Sequence, residues 1–109
     1  MARYVLIESR DPFESRDTQF VTDTAVALKQ LGHEVVIFLA QNGVLAARKN
    51  ARRSHLPLLA KAGISVLADD FSLRERGVAS EELGAGIRES GVDALVDLLI
   101  QKETKAIWH

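Results

Sequence analysis

Two short apolar runs that bracket one amphipathic segment constrain this chain most strongly. Tyr4-Val5-Leu6-Ile7 and Val35-Val36-Ile37-Phe38-Leu39 are apolar at consecutive positions and rich in β-branched residues. A strand with one solvated face would alternate polar and apolar residues. These do not, so both faces of each strand must be covered. Between them Phe20, Val21, Thr24, Ala25, Leu28 and Leu31 recur at helical spacing, and Gly32 follows as a helix stop. Strand, helix, glycine stop and strand describe a right-handed βαβ unit with parallel strands. Covering both faces of such a sheet points to a three-layer α/β/α sandwich.

The rest of the chain extends this unit. Gln41-Asn42-Gly43 reads as a turn, Val44 to Ala47 as a short helix and Arg48 to His55 as a polar loop. Leu56 to Ala62 has a helical pattern with Pro57 tolerated in its first turn, and Gly63 stops it. Ile64 to Ala68 is a third strand. Asp69 and Asp70 stand at its carboxyl end, and Ser72 to Arg76 open a short helix. Ser80-Glu81-Glu82-Leu83 resembles a helix start with serine as N-cap and acids in the first turn. Gly91-Val92-Asp93 is expected as a very short fourth strand, Leu95 to Lys102 as a helix and Lys105 to Trp108 as a last strand. The sum is an α/β fold with a mainly parallel sheet of about five strands. No linker, repeat or low-complexity tract interrupts it, so residues 1–109 are expected to form one domain.

Composition excludes several classes of chemistry. Cysteine is absent, which removes disulfides, thiolate metal ligands and thiol nucleophiles from these 109 residues. The net charge of -1 provides no global field for nucleic acid or an anionic membrane. The basic cluster Arg48, Lys49, Arg52 and Arg53 has no interleaved aromatic for base stacking, so no nucleic-acid partner is expected. The N-terminal apolar run is too short for a signal-peptide core, and no stretch approaches a membrane span. A cytoplasmic location is the expectation.

In an open parallel sheet, ligands sit beyond the carboxyl ends of the strands. That rule selects Ser9, Arg10 and Asp11 after the first strand, Asn42 after the second, and Asp69, Asp70, Arg74 and Arg76 after the third. Asp69 and Asp70 could form a carboxylate pair or hold a hard cation, but neighbours at a strand end point to opposite sides. Asp69 also suits a helix cap, and Asp11-Pro12 suits a turn. No glycine-rich phosphate loop, nucleophile elbow or histidine pair at metal-ligand spacing is present. His33, between Gly32 and the second strand, reads as structural. No catalytic residue, metal site or cofactor is expected.

Three stretches carry a family resemblance. They are LKQLGHEVVIF from Leu28 to Phe38, the turn Asn42-Gly43-Val44 with Ala46-Ala47, and AGISVLADDFSLRERGV from Ala62 to Val78. With them the chain resembles the DsrE-like proteins of sulfur relay. The resemblance implies a flavodoxin-like α/β domain that associates as a dimer, trimer or hexamer. Family members that carry sulfur use a cysteine just after the third strand, and the matching position here is Asp69. A carboxylate cannot hold a sulfane sulfur. The resemblance therefore implies a non-catalytic binding or assembly subunit, linked at most indirectly to sulfur metabolism, that receives a protein partner or small anionic ligand. The alternative is a small hydrolase or metal-assisted enzyme using Asp69 or Asp70. A receiver-like signalling domain fits less well, because the first strand end lacks the acidic cluster such a domain needs.

Overall fold

The computed structural model describes residues 2–12, 14–51 and 54–109. Five strands form one sheet: β1 Arg3–Glu8, β2 Glu34–Leu39, β3 Ser65–Asp69, β4 Ile87–Ser90 and β5 Thr104–Trp108. Their order across the sheet is β4-β3-β2-β1-β5, and every neighbouring pair is parallel. Four α-helices accompany them: α1 Thr18–Gln30, α2 Leu56–Lys61, α3 Asp70–Glu75 and α4 Val92–Leu99. The segments Gln41–Ala47 and Ser80–Glu82 are 3₁₀ turns.

This topology follows from the handedness of parallel crossovers. The chain steps from β1 to β4 in one direction, then returns across the sheet to place β5 beside β1. A reversal of direction moves the connecting helix to the opposite face. Accordingly Leu6, Ile37 and Val66, which are in register, join Val21, Ala25, Leu56, Leu59 and Leu73 in one core. Val5, Ile7, Val36 and Phe38 point the other way and pack with Leu95 and Leu98 of α4. The two layers of cover are unequal. One face lies under α1, α2, α3 and the first 3₁₀ turn, the other under α4.

Helix ends are set by glycine. Gly32 and Gly63 have φ of 89° and 94°, and the residue after each donates its N–H five residues back, His33 to Leu28 and Ile64 to Leu59. This is the Schellman closure, which needs a left-handed residue. His33 is structural here: its Nδ1 accepts the Ala2 N–H at 3.1 Å and its ring stands edge-on to Tyr4.

The stretch from residue 70 to residue 99 differs from expectation. The fourth strand is Ile87–Ser90 rather than residues 91–93, and α4 begins at Val92 and ends at Leu99. An edge strand with one buried residue, Ile87, has no alternation to read. Gly91 is instead the N-cap of α4. Ser80 opens only a 3₁₀ turn whose N-cap is Ala79, with the Glu82 carboxylate accepting the Ala79 N–H at 2.9 Å. Helix α3 starts at Asp70, two residues before the expected Ser72.

The first 3₁₀ turn crosses the end of β1 at van der Waals limit. A Cβ on Gly43 would stand 2.2 Å from the Glu8 carbonyl oxygen, a backbone atom that cannot swing aside. Gly43→Ala is therefore expected to lower stability by about 1–3 kcal/mol in chemical denaturation. A silent substitution would mean that the turn does not approach β1 this closely.

Candidate functional site

The carboxyl edge of the sheet holds two clusters, one at the ends of β1 and β5 and one around α3. The first is built where β1 and β5 end side by side. Glu8 is the last residue of β1 and is 4% exposed. A buried carboxylate needs hydrogen bonds. His109 Nδ1 lies 2.9 and 3.0 Å from its two oxygens, and the Arg10 N–H donates to it at 3.3 Å. An ionised carboxylate only accepts, so in that form of the pair Nδ1 is the donor. His109 is held in turn through its main chain and its ring. The His109 N–H donates to the Ile7 carbonyl at 2.8 Å, its carbonyl accepts from Ser9 N–H and Oγ at 3.2 and 3.0 Å, and Phe20 tilts against the ring at 5.7 Å.

The expected residues of the first loop have defined places around this pair. Ser9 clamps the end of β5. Arg10 reaches Asp17 at 3.5 Å, an exposed contact of little energetic weight. Asp11 is buried, and its carbonyl accepts from the N–H groups of Glu14 and Ser15 at 2.9 and 3.0 Å, which forms the turn that leads toward α1.

The second cluster surrounds α3. The Asp69 carboxylate accepts the Ser72 N–H at 3.0 Å and the Ser72 hydroxyl at 2.7 Å, capping α3. Ser72 Oγ accepts the Gln41 N–H at 2.8 Å, so the cap also ties α3 to the turn after β2. Arg76 Nε donates to Asn42 Oδ1 at 3.1 Å and Arg76 Nη1 to the Ser72 carbonyl at 3.3 Å. Asp70 and Arg74 form an i,i+4 ion pair at 3.9 Å. Asp69 and Asp70 border a concavity on the α4 face, whose other walls include Ile7, Phe38, Phe71, Val92 and Trp108.

The sheet edge therefore gathers Asn42, Asp69, Asp70, Arg74 and Arg76 around α3, while Ser9, Arg10 and Asp11 follow the end of β1. Among the described residues no three His, Asp or Glu side chains are grouped so that they could hold a metal ion. Nor, among the described residues, is any helix long and apolar enough to cross a membrane. Arg52 and Arg53, half of the basic cluster, lie outside the described residues. Arg48 Nε donates to the Leu45 carbonyl at 2.9 Å. The Glu8–His109 pair was not among the expected site residues. Its two members are 101 positions apart, and only the placement of β5 beside β1 reveals it.

Residues 2–106 match the DsrE/DsrF-like family. The chain belongs to that family. Two solved structures share its fold. One is a protein of unknown function from Methanobacterium thermoautotrophicum, with 22% identity, a TM-score of 0.80 and full coverage of both chains. The other is the ychN protein from E. coli, with 16% identity, a TM-score of 0.83 and coverage of 98% of this chain and 100% of that one. At these identities the likeness is one of fold. No curated protein matches the chain. The DsrE/DsrF-like fold with a parallel five-stranded sheet is thus shown, together with a chain that has no cysteine.

The Asp69 cap separates shape from charge. Asp69→Asn keeps an acceptor for Ser72 and should change stability little, while Asp69→Ala should cost about 1 kcal/mol, within the usual range for a lost cap. Thermal or urea melts of the two variants provide the comparison. Equal stability of Asp69→Ala and the parent would remove the cap from the account.

Proposed function

We propose that this DsrE-like chain is a non-catalytic binding and assembly subunit, one domain over residues 1–109, that joins further copies of itself through its α4 face. The reading rests on a helix with two apolar sides. Leu95 and Leu98 of α4 pack down on the sheet. Val92, Val96 and Leu99 face outward, continued by Ile100, which is 76% exposed. Asp93 and Asp97 supply the helix's only charges. A helix apolar nearly all round is normally buried on every side. Trp108, 67% exposed, and exposed Phe71 extend the same surface across β5 and α3. Apolar area of this kind marks an interaction site.

A second copy is the occupant that fits, as a dimer, trimer or hexamer, because members of this family are typically oligomeric. Asp69 and Asp70 stand at the rim of that surface, with Arg74 and Asn42–Arg76 behind them. A partner bound there would meet the residues of the third strand end. Ser9, Arg10 and Asp11 would serve the neighbouring end of β1. Sulfur relay through this chain is not part of the reading, since persulfide formation requires a thiolate and these 109 residues contain none. A reducing, cytoplasmic setting suits a chain without cysteine.

Light scattering tests the proposal. At micromolar concentration the particle should weigh a multiple of 12.0 kDa. Val96→Asp with Ile100→Lys places charge on the outward stripe of α4 while sparing Leu95 and Leu98, and should yield a folded monomer. A parent protein that is monodisperse at 12.0 kDa would contradict the proposal.

A further inference from the structure

The α1 face, on the side of the sheet away from α4, carries a cavity. It has a volume of about 460 Å³ and lies between α1 and the carboxyl ends of β1 and β2. That size falls within the roughly 300–1,000 Å³ typical of small-molecule sites. Its deeper walls are apolar, formed by Val21, Ile37, Leu39, Ala46 and Leu56. Four of these five belong to β2, the first 3₁₀ turn and α2, so they are fixed by the core rather than by a loop.

The charge of the cavity is set by what Glu8 does. Among the described residues Glu8 is the one acid in the lining, and its carboxylate already takes hydrogen bonds from His109 and from the Arg10 N–H. Its demand for donors is met within the protein. Arg10, Arg16 and His55 also line the cavity. Arg10 is held only by the long, exposed contact to Asp17. Arg16 makes no ion pair among the described residues. The balance at the mouth is cationic, and the interior is hydrocarbon.

We infer that this cavity binds a small organic anion with an apolar body, of the class of aliphatic or aromatic monocarboxylates. The carboxylate would meet Arg16 and Arg10, where guanidinium geometry matches two oxygens. The hydrocarbon body would displace water from Val21, Ile37, Leu39 and Leu56. A bare inorganic anion would leave those walls unused, and a neutral apolar molecule would leave the arginines unanswered. The inference goes beyond self-association and does not depend on it, because the cavity and α4 lie on opposite faces of the sheet.

The test titrates the whole protein with hexanoate, phenylacetate, hexanol and inorganic phosphate, following the methyl resonances of Val21, Ile37 and Leu39 by NMR. Saturable shifts are expected with both carboxylates, and binding of hexanol and phosphate weaker by about tenfold or more. Arg16→Glu, at an exposed position, should weaken hexanoate by about tenfold with an unchanged melting temperature. Thr22→Trp, which places a large ring in the lining, should remove the shifts. Absence of saturable shifts with either carboxylate overturns the inference. So does equal binding of hexanol and hexanoate, or an Arg16→Glu variant that binds hexanoate like the parent. A saturable cavity in a protein that stays monomeric would sink only the assembly proposal.

Discussion

The parallel pairing of β1 with β2 is the interaction on which the rest of the structure depends. Its register runs from Arg3 opposite Glu34 to Glu8 opposite Leu39, through residues that are apolar on both faces. Parallel strands of this kind cannot leave a face in water, so cover is required above and below. The same pairing fixes where chemistry can sit. It ends β1 at Glu8, beside the turn that Gly43 allows across the strand end, and it leaves the other edge of β1 free for β5. When β5 takes that edge, Ile7 pairs with Trp108, and the next step of each strand brings Glu8 and His109 together.

Unequal cover gives the two faces different characters. Three helices and a 3₁₀ turn cover the α1 face and border a cavity at the carboxyl edge. On the other face α4 covers Val5, Ile7, Val36 and Phe38 and turns a second apolar side outward. The buried carboxylate of Glu8 and the apolar exposure of Trp108 arise from one alternation along neighbouring strands, read on opposite sides. A binding cavity on one face and an assembly surface on the other would not compete for the same residues. Under the proposed reading, this separation would let one subunit bind and assemble at once.

Much of this was legible in the sequence, for reasons that differ by element. Buried parallel strands announce themselves by uninterrupted apolar runs, and Gly32 and Gly63 mark helix ends because few other residues tolerate their φ. The DsrE-like resemblance was carried by the same stretches. The fourth strand was misplaced because Ile87–Ser90 is charged and lies at an edge, where one buried residue sets no period. Asp69 was visible both as a cap and as a site residue, and the structure adds its two bonds to Ser72. The Glu8–His109 pair was beyond reach of local patterns, since it is created by strand order. The grouping of the site residues into two clusters also needed the topology.

The central claim is that the α4 face is covered by another copy of the chain. Trp108 is the only tryptophan and lies in that surface, so its fluorescence reports on the claim directly. The account predicts that its emission shifts to the blue and becomes shielded from acrylamide as the protein is concentrated, and that charge on the outward stripe of α4 reverses both changes. Water-like emission with full quenching at every concentration would contradict it.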